Sequence, residues 1–263
     1  MKRQISIAIL GLGEAGSRFA NDLSKMGFFV TGWDPNLRYN LNEGVFFAKS
    51  NADAAKDADI ILSANLSAVS VEIAREVAFV LNAKQIYCEM NTSSPNKKNA
   101  VFEAIKSTGV QFVDLAIMAP VTPKGIKTPF LASGPGAKML FNNLKPFDLC
   151  LTYLSDDVGD ASTRKLLRSI VYKGVAAVIG EAVMAGKAFG LETYIREQIA
   201  SVIGGNEELI NRFLEGSYLH AERRIDEMDA VTEMLSDKNI IPVLSAASKK
   251  SLQNLSELKQ SKR

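Results

Sequence analysis

Gly11, Gly13 and Gly16 stand in the spacing G-x-G-x-x-G, within Gly11-Leu12-Gly13-Glu14-Ala15-Gly16. Glycines spaced in this way suit a turn that carries a pyrophosphate: Gly11 would permit the tight turn, Gly13 the approach of the phosphates, and Gly16 the packing of a helix on its strand. The free N–H groups at the start of that helix would hold the phosphates. The same glycines also occur at ordinary strand-to-helix turns, so the context decides. Phe28-Phe29-Val30-Thr31-Gly32-Trp33 is an apolar run ending in Asp34, about twenty residues beyond the glycines, where an acid takes up ribose hydroxyls. That acid favours NAD, because a carboxylate repels a 2′-phosphate. Pro35 follows in the same loop, and Arg38, four residues after Asp34, keeps NADP open.

Other residues offer chemistry with less context. Asn65 follows one apolar run, and Asn91-Thr92-Ser93-Ser94-Pro95 follows another. Such Asn/Thr/Ser loops face ligands in some folds and are plain capping turns in others. Lys165, Ser169 and Tyr172 share one face of a predicted helix. His220, the one histidine, has the titration range of a base, although a single histidine in an amphipathic helix is commonly structural or solvent-facing. Arg223 and Arg224 suit a carboxylate or phosphate, while Glu222, Asp226 and Glu227 offer them ordinary helix ion pairs. Cys88 and Cys150 give neither a disulfide framework nor a metal-ligand cluster, so no metal is expected.

These residues need elements to position them. Ile5 to Leu10 reads as a buried strand leading into the glycines, and Ser17 to Met26 as the helix after them. Beyond Asp34, short apolar runs keep alternating with helical patterns, the form of a parallel, helix-covered sheet. Strands are expected at Ile60–Ser63, Gln85–Glu89, Val110–Asp114, Thr128–Gly134 and Leu149–Leu154, with a helix from about Ala68 to Val80. From Ala161 onward only helical periodicity remains. Leu166, Leu167, Ile170, Val171, Val175, Val178, Ile179 and Ala182 recur three and four apart in one long helix. Gly174, Gly180 and Gly186 within it suggest close approach of another helix. Helices at Tyr194–Val202, Glu207–Phe213, Tyr218–Leu235 and Pro242–Leu258 complete the second half. The expected division is a doubly wound α/β domain, 1–157, and an all-helical domain, 158–263, with the boundary in the acidic stretch Asp156 to Asp160. Ligands of such sheets lie at the C-terminal ends of the strands.

Composition narrows the classes. The 263 residues, 47% hydrophobic, suffice for two domains with a substantial core. A formal net charge of +2 does not argue for nucleic acid, and the one dense basic cluster is the tail at Lys249, Lys250, Lys259, Lys262 and Arg263. The N-terminal Met1-Lys2-Arg3-Gln4 precedes a strand, not a signal sequence. No stretch approaches about eighteen continuous apolar residues. These features predict a soluble, reduced, cytoplasmic protein without membrane or nucleic-acid partners.

The order of a dinucleotide-binding half, a long helix and an all-helical half resembles the β-hydroxyacid dehydrogenase and 6-phosphogluconate dehydrogenase superfamily. The segments Phe112-Val113-Asp114-Leu115-Ala116-Ile117-Met118 and His220-Ala221-Glu222-Arg223-Arg224-Ile225-Asp226-Glu227-Met228 resemble a poorly characterised branch with a distinctive helical C-terminal domain. The resemblance implies that Asn65 lies beside the nicotinamide and that Thr92 faces the cofactor, Asn91 replacing a serine of the family's acid-x-Ser-Thr-x-x-Pro loop. It implies that Lys165 is the catalytic lysine; Ser169 stands where the family has asparagine, with Arg168 beside it. Where the family has Asp-Ala-Pro-Val-Ser-Gly-Gly for a substrate carboxylate, this chain has Asp114-Leu115-Ala116-Ile117-Met118-Ala119-Pro120. Met118 removes the hydroxyl and Pro120 lacks an N–H, which points to a more apolar or differently anchored substrate.

The expected activity is hydride transfer between a nicotinamide, NAD or NADP, and a carbinol carbon of a small anionic hydroxy compound, in a cleft between the domains. Lys165 would exchange the proton, while Met118, Ser169, Tyr172, His220, Arg223 and Arg224 are candidates for contacting substrate. An imine reductase-like enzyme and a non-catalytic dinucleotide-binding sensor are the alternatives. The resemblance and the long apolar helix together imply a homodimer through the helical half.

Overall fold

A computed structural model describes residues 4–204 and 207–260. Met1 to Arg3, and the tail residues Lys262 and Arg263, lie outside the described residues. The contacts divide the chain into two compact units, Met1–Lys165 and Leu166–Arg263.

The first unit contains β1 (Ser6–Leu10), α1 (Glu14–Lys25), β2 (Phe29–Trp33), β3 (Val45–Phe47), α2 (Asn51–Ala55), β4 (Ile60–Ser63), α3 (Ser70–Val77), β5 (Ile86–Glu89), α4 (Pro95–Ile105), β6 (Gln111–Ile117), β7 (Phe130–Ser133), α5 (Ala137–Leu144) and β8 (Leu151–Ser155). The strands form one eight-stranded sheet in the order β3-β2-β1-β4-β5-β6-β7-β8. The order reverses at β1, where β2 and β4 lie on opposite sides, and such a switch point opens a crevice for ligands. In β1, Ile7 and Ile9 enter one apolar cluster while Ala8 and Leu10 enter another. Both faces of the strand are therefore covered, which is why its sequence is continuously apolar and not alternating.

The sheet is not wholly parallel, as the alternation of runs had suggested, because β7 pairs antiparallel to β6. The connection between them contains only a one-turn 3-10 segment, Gly125–Lys127, and a parallel return needs a longer crossover, usually a helix. From β7 the chain does cross through α5, and β8 pairs parallel to β7. Helix α1 begins at Glu14, three residues before the predicted Ser17, with Gly13 in extended conformation as its N-cap. The helix expected over Ala68 to Val80 is α3 with 3-10 turns on each side, Ser67–Val69 and Ala78–Val80. Strand β3 has only three residues, too few for alternation to reveal.

Helix α6 (Asp160–Ala188) begins in the first unit and continues into the second. The second unit adds α7 (Glu192–Ile203), α8 (Glu207–Leu219), α9 (Ala221–Ser236) and α10 (Val243–Gln260). The helix expected across Tyr218 to Leu235 is broken at His220, which stands between α8 and α9. Two apolar clusters hold this unit, one around Leu166, Met228, Val231 and Leu252, the other around Ala176, Ile179, Ile210 and Phe213. Of the three glycines in α6, only Gly186 meets a neighbouring helix, through Ile195 of α7; a Cβ on Gly174 or Gly180 would meet open space. Close helix approach therefore explains one of them and not the other two. Leu167, Val171 and Val178 are exposed on α6. By length and mean hydropathy, 1.3 over its most apolar window, α6 is long and apolar enough to cross a membrane, a property shared with core helices.

Candidate active site

The end of β1 runs directly into the glycine turn. Gly11 has φ of +98°, a conformation that L side chains rarely adopt, and its N–H donates to the Trp33 carbonyl at 2.8 Å. A Cβ at Gly11 would fall 2.8 Å from the Ala64 oxygen and the Asn65 Cα, so the loop after β4 lies against this turn. A Cβ at Gly16 would collide with the Gly11 carbonyl oxygen, whereas a Cβ at Gly13 meets nothing. The space beyond Gly13 at the start of α1 is open, where a side chain would stand in the way of a ligand, and the first-turn N–H groups there have no intrahelical partner. This fits a pyrophosphate. Leu12 is buried in the core, Glu14 is exposed and Ala15 half-buried, so of these residues the backbone is what the turn presents.

Asp34 follows β2 and is already engaged. One carboxylate oxygen accepts from the Leu12 N–H at 2.8 Å and the other from the Asn36 N–H at 2.7 Å. The acid therefore also ties β2 to the glycine turn, a role that the sequence pattern did not disclose. Pro35 and Arg38 are exposed in the loop beyond it.

The next strands carry a row of polar residues in register, Ser63 of β4 opposite Glu89 of β5, Glu89 opposite Asp114 in the middle of β6, and Asp114 opposite Ser133 of β7. Glu89 and Asp114 are fully buried neighbours, an arrangement that repels unless a cation intervenes. Lys98 of α4, only 1% exposed, is that cation. Its Nζ donates to the Glu89 carbonyl at 2.9 Å and lies 3.5 Å from Glu89 Oε1 and 3.2 Å from Asp114 Oδ1.

Hydrogen bonds lead outward from this centre on two sides. Towards β4, the Asn91 N–H donates to Glu89 Oε1 at 3.0 Å, Asn91 Nδ2 to Asn65 Oδ1 at 2.9 Å, and Asn65 Nδ2 to Ser63 Oγ at 2.9 Å. Towards α6, Asp114 Oδ2 accepts from the Ser162 N–H at 2.9 Å and its hydroxyl at 2.7 Å, while Ser133 Oγ accepts from the Ala161 N–H at 3.0 Å. The first turn of α6 is thus capped by side chains from the sheet, an acid at a helix N-terminus being the favourable sign. Lys165, half-buried, lies one turn beyond Ser162. In the Asn91–Pro95 loop the two readings separate by residue: Ser94 caps α4 through the Lys97 N–H at 3.3 Å, Asn91 reaches across to Asn65, and Thr92 between them is half-buried.

Burial pushes the Glu89 carboxyl above the usual carboxylate range, against the opposing pull of Lys98 and the Asn91 N–H. A carboxyl raised by folding contributes stability that is fully present below its unfolded value and lost as pH rises through its folded value. Glu89→Gln should therefore gain stability relative to the natural protein as pH rises from the acidic carboxylate range towards neutrality. Parallel urea titrations at several pH values read this difference, and a constant difference would contradict the assignment.

Met118 is half-buried just after β6, its N–H donating to the Pro129 carbonyl at 2.9 Å. In the helical unit, Ser169, Tyr172 and Arg224 come together. Arg224 is buried, 5.5 Å from the Tyr172 ring centre, and its Nη1 donates to Ser217 Oγ at 2.8 Å. Lys173, which sequence reasoning passed over, lies 5.5 Å from the same ring, donates to Ser169 Oγ at 3.3 Å and pairs with Glu227. Burial lowers the Lys173 pKa, with Glu227 opposing. Arg223 is exposed, unlike its neighbour, and His220 is half-buried at the helix break. Glu227 pairs with Lys173 of α6 and also faces Arg224 of its own helix.

Lys98 is the main residue that the sequence reading missed. The signal was present: positions 98, 101 and 105 share one helical face, and Val101 and Ile105 are core residues. A lysine on that face needs a buried partner.

The comparisons with known proteins agree with this geometry. Residues 6–139, just over half of the chain, match the family model described as the NAD binding domain of 6-phosphogluconate dehydrogenase, and residues 187–255 match a domain of unknown function, DUF1932. The chain is similar to a conserved protein of unknown function whose structure was described as similar to 3-hydroxyacid dehydrogenases, at 27% identity and TM-score 0.73, covering 97% of this chain and 98% of that one. It shares its fold with a 3-hydroxyisobutyrate dehydrogenase of Salmonella typhimurium, at 17% identity and TM-score 0.78, covering 97% and 95% of the two chains. It also shares it with an imine reductase variant of Myxococcus stipitatus in complex with NAD+, at 20% identity and TM-score 0.59, covering 97% and 95%. The glycine cradle, the acid after β2 and the matched residues agree: the chain belongs to the family of the 6-phosphogluconate dehydrogenase NAD-binding domain.

Proposed function

We propose that this protein is an NAD(P)-dependent dehydrogenase or reductase that acts on a carbinol carbon of a small anionic hydroxy compound, with Lys165 as acid/base. The observation that carries the reading is the pair of bonds from Asp114 to Ser162, which fixes the start of α6, and with it Lys165, to the same strand ends that hold Asn65 and Asn91. When bound, the nicotinamide supplies the hydride chemistry. Gly11 to Gly16 would receive the pyrophosphate, Asp34 the ribose, and Asn65 and Thr92 would orient the ring. Lys165 would hold or take the proton of the reacting oxygen. The half-buried Lys173 and the buried Arg224, beside Glu227, suit an anionic group of the substrate. The exposed Leu167, Val171 and Val178 on α6 support association of two copies through the helical half.

The test is NADH formation by the purified full-length protein with 2- and 3-hydroxy acids and hydroxyphosphonates. Turnover of one of these classes is expected. Met118, in place of the serine expected of a carboxylate site, favours a second reading, reduction of a cyclic imine by NADPH or NADH, which the same assay run in reverse detects. Cofactor binding without turnover of any of them would indicate a dinucleotide sensor and overturn the enzyme reading.

A further inference from the structure

The polar row across the strands holds more acid than base. Facing Glu89 are Lys98 from α4, Asp114 from β6 and Tyr87 from its own strand, together with the neutral Asn91, Asn65 and Ser63. Burial drives the Tyr87 phenol upward, so it stays neutral. One ammonium then balances only one of two fully buried carboxyls. The second charge would be uncompensated in a water-free interior, where an isolated ion neutralises by taking a proton. The hydrogen bonds say which carboxyl takes it. Asp114 Oδ2 accepts two donors from Ser162, and Oδ1, buried without a hydrogen bond, lies 3.2 Å from Lys98. Glu89 Oε2 is likewise buried without a hydrogen bond, and Oε1 accepts one backbone N–H, from Asn91, at 3.5 Å from Lys98, so Glu89 is the less compensated of the two and takes the proton.

Glu89 also has the shortest route to the cofactor side of the sheet, through Asn91 and Asn65, and Asn65 lies against the glycine turn. We propose that Glu89 is a proton-linked positioning residue for the nicotinamide, protonated when the ring is neutral and ionised when the ring is cationic. The proposal rests on the placement of the ring beside Asn65 given above. Binding of the oxidised cofactor to the protonated protein would then release one proton from Glu89 to solvent, breaking its O–H bond and leaving a carboxylate on Lys98. Binding of the reduced cofactor would release none. By linkage, affinity for NAD+ increases with pH through the titration of Glu89, and affinity for NADH does not. The protein thereby favours the reduced cofactor in acid and loses that preference in base, a redox preference set by one buried carboxyl.

Isothermal titration of the full-length protein with NAD+ and with NADH, in a pH series running upward from the ordinary carboxylate range, tests this. The ratio of the two dissociation constants should change by up to about tenfold per pH unit at its steepest. Other titrating groups that act on the shared phosphates and riboses cancel in that ratio. Glu89→Gln, which keeps the shape of the protonated side chain, should flatten it. Should that variant not fold, titrations of the natural protein in two buffers of different ionisation enthalpy read the released proton directly: close to one for NAD+ and none for NADH. A flat ratio with both cofactors bound, equal proton release, or an unchanged slope in Glu89→Gln overturns this inference alone. Binding of neither cofactor overturns the proposed function and this inference together.

Discussion

Lys98→Met is expected to destabilise the dinucleotide-binding unit by about 3–5 kcal/mol, the cost of removing one partner from a buried charge cluster. Methionine keeps the length and most of the volume of lysine, so the loss is electrostatic and not a cavity effect. It leaves Glu89 and Asp114 as adjacent buried carboxyls with no cation, and removes the donor that bonds the Glu89 carbonyl at 2.9 Å. The variant should regain much of its deficit in acid, where both carboxyls are protonated, and in the triple variant Lys98→Met, Glu89→Gln, Asp114→Asn. Trp33, the single tryptophan, lies at the end of β2 in this unit, so its fluorescence in urea reports the unit without a signal from the helical half. A loss below about 1 kcal/mol, the size expected of an exposed pair, would show that the cluster does not hold the sheet as described.

Lys165→Met should lower kcat by about 10²–10⁴-fold on any substrate the protein turns over, the usual contribution of a positioned acid/base. Lys165 lies one turn beyond Ser162, whose N–H and hydroxyl are held by Asp114, so the position of its backbone is set by the sheet and not by the mobility of a loop. NADH affinity should stay within about threefold, because the phosphates and ribose are assigned to the glycine turn and Asp34. A kcat near that of the natural protein would remove Lys165 from the chemistry. Lys173, whose pKa burial lowers, would then be the next lysine to substitute.

The cofactor half was largely legible in the sequence because its signals are local. A strand, three glycines, a helix, a strand and an acid fall in one continuous stretch, and each has a direct steric or electrostatic reason for its place. The strands were legible because both faces of the sheet are covered and apolar runs mark them. What was not legible depends on pairing between distant segments. Nothing near Lys98 in sequence shows that Glu89 and Asp114 lie opposite each other on adjacent strands; that follows only from the sheet register. The antiparallel β7 likewise follows from the shortness of a connection and not from its own composition. In the helical half, Arg223 and Arg224 are equivalent as residues, and only the packing of α9 buries one and exposes the other. The break at His220 falls inside a continuous helical periodicity, so periodicity alone could not place it.

Asp34 holds the Leu12 and Asn36 amides, one with each of its oxygens. These two bonds from the protein's own backbone fix its rotamer. Ordering a polar side chain at an interface costs about 0.5–1.5 kcal/mol of conformational entropy, and here that cost falls on the stability of the protein and not on its affinity. With the proposed placement of the cofactor, the adenosine end of the dinucleotide would meet a preorganised surface. Its association should consequently resemble the docking of a rigid ligand on a rigid turn, with little of the unfavourable entropy that accompanies closing a loop.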